Sequence, residues 1–595
     1  MTEKKDKVWI LTFEYAGFVK VGGLGEVPAN QAKSLKDKYD ITVFIPSHGQ
    51  LERLKKDSAC ERLPLKCVGQ INPSFFGITD HESSYAISFY KFRRDNVDII
   101  VLSGDNSFSQ KFLDDNIVYN PDTFAGKVCL FSIGMRCYIE FLIDKWKDNL
   151  PDVVHLHDYH VVVPFIGIKQ ELAKYDLDVS SIITIHLLTW PKYEFNFYIA
   201  SGIDETPISV LTKEGRKNLT FNEIYAICEK RFSIDEDYYP PSVEKIGAFV
   251  CDLVTTVSES YLKSDIIPSL GFELIDFKAD YVWDGCDWEY DEIYKRVMEN
   301  FEAEMREVLS LSSDTKISHK EMRRYLLTYK LGHLKQSPLI NSTRVLETIR
   351  EISYDNPFIN NGKDMAFTDS GPLVITTGRI SHQKGFETIL EAIPDVIKII
   401  PNAKFLFLIL PTEYSLQEIR EYSEHVKKYP NNLRIIFGLS AEVFHLAHIV
   451  ADVYCALSRW EPFGIIALEA MASKLPVIAT KVGGLQESVI DIRINPEMGT
   501  GILIQKNNPS QFTTALISLF KLVQICEDGA YSEVESLQII NQIPDEIIKS
   551  RVLIDKNYYL KIRENCLERV KNNFRWSIVS LKLIELYDKI KIKRD

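Results

Sequence analysis

The chain has 595 residues, 26% charged and 45% hydrophobic, the proportions of an ordinary globular protein with room for more than one core. Its net charge of −13 argues against a nucleic-acid binder that relies on attraction to phosphates. No apolar run reaches the roughly 18 residues a membrane helix needs, and the 10 cysteines include no CxxC pair, which removes the zinc and thioredoxin-like spacings and leaves most of them as small core residues.

The N-terminus, "MTEKKDKVWILTF", sets charges before a strand-like run and lacks a small-residue cleavage site, so it reads as the start of a cytoplasmic protein rather than a signal peptide. Continuous apolar runs follow at 8–13, 41–46, 97–103, 152–157, 181–186 and 253–258. Runs of this kind suit strands buried on both faces, hence a parallel sheet covered by helices. The theme returns at 372–378, 404–410, 433–438, 452–458 and 476–480, with helical stretches such as 415–429 between. Strand–helix alternation twice over predicts two doubly wound α/β domains. The division reads as 1–288 for the first domain, 289–370 for a linker or insertion with an amphipathic helix at 290–309 and a loop at 356–364, 371–570 for the second domain, and 571–595 for a C-terminal helix that can cross back to the first.

"KVGGLGEV" (20–27) lies between the first strand and a helix. Adjacent glycines, Gly22 and Gly23, let a backbone approach a ligand closely. A helix N-terminus then offers N–H groups to an anion, and Lys20 adds a full charge. A plain tight turn is the alternative, and the spacing is not that of a dinucleotide fingerprint. "TTGRISHQKG" (376–385) plays a similar part in the second half. Arg379 and Lys384, just past a strand of a parallel sheet, are placed for a phosphate, with a solvated charged loop as the alternative.

"SRWEPFGIIALEAMA" (458–472) carries two acids. Pro462 suits a first helical turn, which predicts Glu461 at a helix start in the cleft between the domains. Glu469 follows eight residues on, about 80° around the helix from Glu461. A carboxylate on a buried helix needs partners; a ribose diol is one and a nearby Lys or Arg is another. "VGGL" (482–485), with Gly483 and Gly484, reads as a backbone anion site or a turn. "HLHDYH" (155–160) offers His155, His157, Asp158 and His160. His155 and His157 alternate on a strand without a further His or Cys cluster nearby, so a sugar site or structural pairing is expected ahead of a metal.

Together these residues resemble the glycogen and starch synthases of the bacterial and plant type, retaining glucosyltransferases with the GT-B fold, in which two Rossmann-like domains face one another across a cleft. "FEYAGFVKVGGLGEVPANQAKSL" is similar to their Lys-x-Gly-Gly-Leu signature, and "PDVVHLHDYH" to their His-Asp-Trp-His segment with Tyr159 for Trp. "DLVTTVSESY", "DGCDW", "GRISHQKGF", "SRWEPFGIIALEAMA" and "VGGL" follow in family order, so the likeness runs from about residue 8 to 590. The resemblance implies that Lys20, Gly22 and Gly23 meet the nucleotide and diphosphate. It also implies that Arg379 and Lys384 neutralise the diphosphate leaving group and that Glu469 binds ribose. It implies further that the backbone at Gly483 and Gly484 holds phosphate and that His160 and Glu461 grip the donor glucose. Glu14 lies in the matching N-terminal segment. No carboxylate is placed as an obvious nucleophile, in keeping with a front-face route that needs no metal.

Departures from the family pattern are Glu26 for Asp, Leu187 for Asn and Asp284 for Asn. The expected activity is extension of an α-1,4-glucan from ADP-glucose or UDP-glucose, with no partner nucleic acid or membrane. A GT-B glucosyltransferase with a small acceptor, of the trehalose- or sucrose-forming type, and a non-catalytic glucan-binding GT-B protein are the alternatives.

Overall fold

The computed structural model describes residues 5–57, 59–72, 74, 84–229, 239–361, 365–527 and 532–591. Residues 1–4 of the N-terminal segment and 362–364 of the loop at 356–364 lie outside the described residues. Two units divide the chain: Met1–Asp284 with Trp576–Asp595, and Gly285–Arg575.

In the first unit the described strands are β1 (Lys7–Leu11), β2 (Asp40–Pro46), β3 (Cys60–Gln70), β4 (Ser84–Arg94), β5 (Val97–Gly104), β6 (Val153–His157), β7 (Ser180–Ile185), the hairpin β8 (Ile208–Thr212) and β9 (Gly215–Leu219), β10 (Leu253–Thr256) and β11 (Ala279–Tyr281). Apart from the hairpin they form one sheet in the order β11-β10-β7-β6-β1-β2-β5-β4-β3. It is parallel from β11 to β5 and antiparallel at β5–β4–β3. The register is continuous across the centre, with Ile10 beside Val43 on one side and His155 on the other. The apolar runs explain why both faces are covered. Val8 and Ile10 join one hydrophobic cluster, Trp9 and Leu11 the other. The C-terminal helix Trp576–Ile590 packs Leu583, Leu586 and Tyr587 into the cluster of Val8 and Ile10.

In the second unit β12 (Leu373–Arg379), β13 (Lys404–Leu410), β14 (Leu433–Phe437), β15 (Val453–Ala456), β16 (Val477–Thr480) and β17 (Gly501–Ile504) form a parallel sheet in the order β14-β13-β12-β15-β16-β17. Residues 289–370 are part of this unit rather than a separate linker. The amphipathic helix Tyr290–Leu309 buries Ile293, Val297, Phe301 and Met305. A buried ion-pair hub ties the same region to the sheet. Arg323 Nη1 lies 2.6 Å from Asp452 Oδ1, just ahead of β15, and Arg323 Nη2 lies 2.6 Å from Glu527 Oε2. His319 Nδ1 is 3.2 Å from Glu527 Oε1.

The parallel part of each sheet reverses its strand order at one place. In the first unit β1 is followed outward by β2 and flanked on its other side by β6; in the second, β12 is flanked by β13 and β15. Such points open a crevice beyond the carboxyl ends of the strands, where α/β sheets bind ligands. "KVGGLGEV" follows β1 and "DYH" follows β6; "GRISHQKG" closes β12 and "SRWEPFG" follows β15.

Candidate active site

In the first unit Glu14 organises the glycine loop. Its Oε2 accepts the N–H groups of Val21 at 2.6 Å and Gly22 at 2.9 Å, and its Oε1 accepts the Tyr119 hydroxyl at 2.5 Å. The Gly22 N–H, expected to meet a phosphate, is therefore taken by Glu14. The buried Tyr119 hydroxyl is held well above its ordinary range, first by burial and then by the Glu14 charge. Lys20 Nζ is 2.5 Å from Glu26 Oε1, so the residue that departs from the family's Asp is the lysine's partner. A short turn, Gly23–Gly25, leads into the helix Glu26–Leu35.

The two glycine pairs differ in what surrounds them. A Cβ at Gly22 or Gly23 would meet no atom within 4 Å. Packing does not require glycine there, and the space beside both is open. In the second unit Gly483 has φ 42°, and its Cβ would lie 1.7 Å from the Glu461 carbonyl oxygen. A Cβ at Gly484 would lie 2.5 Å from Phe463 Cα, and the Gly484 N–H donates to Pro462 O at 3.1 Å. "VGGL" thus packs against the segment that carries Glu461, and the Gly484 N–H is not free for a phosphate.

The histidines of β6 and of the turn after it divide in the same way. His155 is buried between the Tyr587 hydroxyl at 2.8 Å and the Thr184 hydroxyl at 2.7 Å, and His157 Nδ1 is 2.9 Å from His186 Nε2. His155 is structural pairing. His160 lies on a short turn in an aromatic box: stacked on Phe13 at 5.3 Å between ring centres, 5.1 Å from Tyr119 and 4.0 Å from Tyr159. Burial pushes the pKa of His160 down to about 3, with a contribution from His186, so its ring is neutral. Asp158, with φ 61°, accepts the His186 N–H at 2.7 Å, and burial pushes its pKa up to about 8.

In the second unit Arg379 ends β12 and Lys384 sits on the next turn, His382–Lys384. This loop is stitched to the segment after β15. Gly385, at φ 62°, lets it pass so close that a Cβ would lie 2.3 Å from Leu457 O. Arg459 N donates to Gln383 O at 2.7 Å, and Gln383 Nε2 donates to Trp460 O at 3.1 Å. Lys384 Nζ then meets Glu461 Oε2 at 2.6 Å, and Ser458 Oγ donates to the same oxygen at 2.9 Å. The helix expected to start at Pro462 starts at Ile465, after Gly464 at φ 96°. Glu461 therefore stands in the loop ahead of the helix, and the 80° relation to Glu469 does not apply. Glu469 lies half-buried within the helix Ile465–Ala472. Tyr119 and Ser458 had no signal in the sequence: Tyr119 is marked only by Glu14, which it reaches across the fold, and Ser458 only by Glu461, three residues on.

The His319, Asp452 and Glu527 ligand atoms lie within 4.8 Å of one another. The Arg323 guanidinium bridges both carboxylates, so its charge already serves the role a cation would take there.

Residues 7–277 match the starch synthase catalytic domain family, and residues 360–528 match the group 1 glycosyl transferases. A glycogen synthase of Thermodesulfovibrio yellowstonii is 23% identical, over 98% of this chain and 97% of its own. A glycogen synthase of Mycoplasma mobile is 22% identical, over 88% of this chain and 93% of its own. Among solved structures, the catalytic domain of starch synthase IV from Arabidopsis thaliana, bound to ADP and acarbose, superposes with a TM-score of 0.59 at 17% identity, covering 98% of this chain and 99% of that one. This likeness gives the fold, GT-B.

Proposed function

For a chain that belongs to the glycogen and starch synthase family of glycosyltransferases, we propose the extension of an α-1,4-glucan by transfer of glucose from ADP-glucose or UDP-glucose to its non-reducing end. The observation that carries this reading is the Lys384–Glu461 pair, 2.6 Å apart beyond the carboxyl edge of the second sheet and next in the chain to Arg379.

In the reaction the bond from the anomeric carbon to the diphosphate breaks and negative charge grows on the leaving oxygens. Arg379 and Lys384 are fixed cations aimed at that charge, and stabilisation of this kind acts mainly in the transition state. The chain's own cations supply it, without a call on a metal. Entry of the diphosphate draws Lys384 from Glu461, whose carboxylate then accepts from glucose hydroxyls and steadies positive charge at the anomeric carbon. The neutral His160 holds the glucose by hydrogen bonding. Glu469 accepts from the ribose hydroxyls. Lys20 and the open Gly22–Gly23 segment take the nucleotide side, with Gly483 as a further backbone contact. The acceptor hydroxyl attacks on the leaving-group side, and its proton passes to the departing diphosphate.

All 10 cysteines are free, which accords with a reducing compartment, and we place the reaction in the cytoplasm. Among the described residues no helix is long and apolar enough to cross a membrane. The product tests the reading. Labelled glucose added to glycogen should be released as maltose by a β-amylase. Label recovered in a free disaccharide would instead favour a small-acceptor enzyme.

A further inference from the structure

Consecutive backbone N–H groups after β7 all donate to side chains. Those of His186 and Leu187 go to Asp158, the first at 2.7 Å. That of Leu188 goes to the Tyr261 hydroxyl at 2.9 Å. Those of Thr189 and Trp190 go to one oxygen of Glu244, at 3.0 and 2.9 Å, and the Thr189 hydroxyl adds a third donor at 3.2 Å. Glu244 is fully buried. The next residue, Pro191, accepts the Val243 N–H at 2.9 Å, and Lys192 bridges to Ser242. A surface loop ordinarily leaves such groups to water; this one is fixed to the protein beneath it at every step.

At the end of the series Trp190 has φ 50°, a conformation that a bulky side chain rarely adopts. Its side chain is nevertheless 54% exposed, so burial of the indole does not compensate the strain. Leu187, on the same loop, is also exposed. Strain that the surrounding structure over-determines collects at functional sites. The loop starts at His186, whose ring is bonded to His157 and whose N–H donates to Asp158, two residues before His160. The loop that carries Trp190 is thus anchored beside His160, the residue assigned to glucose.

An exposed indole matches the apolar C–H face of a pyranose ring, and a loop whose backbone is already held in place binds with little ordering cost. We propose that Trp190 is a stacking platform for the acceptor: it takes a glucose unit of the α-1,4-glucan, behind the unit that receives the new glucose, with Leu187 extending the apolar surface. This rests on the glucan-extending reading above and names a residue that sets acceptor affinity.

The test uses the full chain, Trp190→Ala, and Trp190→Phe as the conservative variant. Acceptor KM is measured with maltoheptaose at saturating donor, donor KM at saturating acceptor, and maltoheptaose binding by calorimetry without donor. Loss of one buried aromatic contact predicts a rise of about tenfold in acceptor KM and in Kd for the alanine variant. The phenylalanine variant recovers most of this, and donor KM moves less than twofold in both. An acceptor KM within twofold of wild type in a folded alanine variant overturns the platform and leaves glucan extension standing. Equal losses in donor and acceptor KM mark a structural role and overturn it as well. A wild-type protein that transfers glucose to no α-glucan overturns the functional reading and the platform with it.

Discussion

Lys384 Nζ lies 2.6 Å from Glu461 Oε2, with both side chains largely buried. The two residues stand 77 apart in sequence and meet because β12 and β15 are neighbours. In the proposed reaction the pair keeps the cation in place until a more highly charged partner, the diphosphate, competes for it. Lys384→Met is expected to lower turnover roughly a hundredfold or more, the scale of losing one preorganised charge contact. Glu461→Gln lowers turnover by less, because Ser458 can still donate to the remaining oxygen. The double variant should fall short of the product of the two losses, since residues in direct contact couple. Steady-state kinetics at saturating donor reads this; strict multiplicativity would mean that the pair does not act together.

In the proposed reaction Glu469 has a separate job, on the ribose. Contacts equal in ground and transition state govern binding rather than turnover. Glu469→Gln should therefore raise donor KM with turnover retained, the opposite of Glu461→Gln. The same kinetic pattern in both variants would remove the division of labour.

The two glycine pairs make opposite predictions. Gly22→Ala and Gly23→Ala should fold as wild type, since a Cβ meets nothing within 4 Å, and should raise donor KM. Gly483→Ala should unfold at lower denaturant, because its Cβ would overlap the Glu461 carbonyl at a φ of 42°. Denaturation curves beside donor kinetics separate the two. A donor KM unchanged in both N-terminal variants would return that loop to a plain turn.

Arg323 holds Asp452 and Glu527 together, and removing one partner of a buried pair leaves an uncompensated charge. Arg323→Met should cost about 3–5 kcal/mol of stability. Urea unfolding checks it; a loss below about 1 kcal/mol would show the hub to be dispensable.

Acid should weaken the first unit earlier than carboxylate titration alone would. Burial holds His155, His160 and His186 at about 3, from an ordinary 6.5, and lowers His48 and His157 as well. Below 6.5 the unfolded chain binds protons that the folded chain does not. Stability is full above that value and falls with pH, by up to about 1.4 kcal/mol per unit for each histidine. Asp158, Glu244 and Asp114, raised by burial, act in the opposite direction and offset part of this. Unfolding midpoints at pH 7.5 and 5 should differ clearly, and a flat profile would contradict the burial of neutral imidazoles.

The parallel strands were legible because apolar runs such as Val8–Leu11 are buried on both faces. Strand β3 was not: on an antiparallel edge with Arg62 and Lys66 outward, only Leu63 and Cys67 are buried. The site residues were legible in kind but not in pairing. Pro462 pointed to a helix start at its own position, whereas Gly464 at φ 96° delays the helix to Ile465. Nor could the sequence say that Glu14 takes the Val21 and Gly22 N–H groups, since that contact needs the loop to fold back on β1. Glycine doublets look alike in sequence; only the surroundings of Gly22 and Gly483 tell an open approach from a packed one.

The most direct measurement is nucleotide diphosphate release from ADP-glucose and from UDP-glucose, with and without glycogen, set against glucose incorporated into the polymer. The account predicts release that depends on glycogen with at least one donor, equal to the glucose incorporated, and abolished by Lys384→Met. Release that ignores glycogen, or none from either donor, would contradict it.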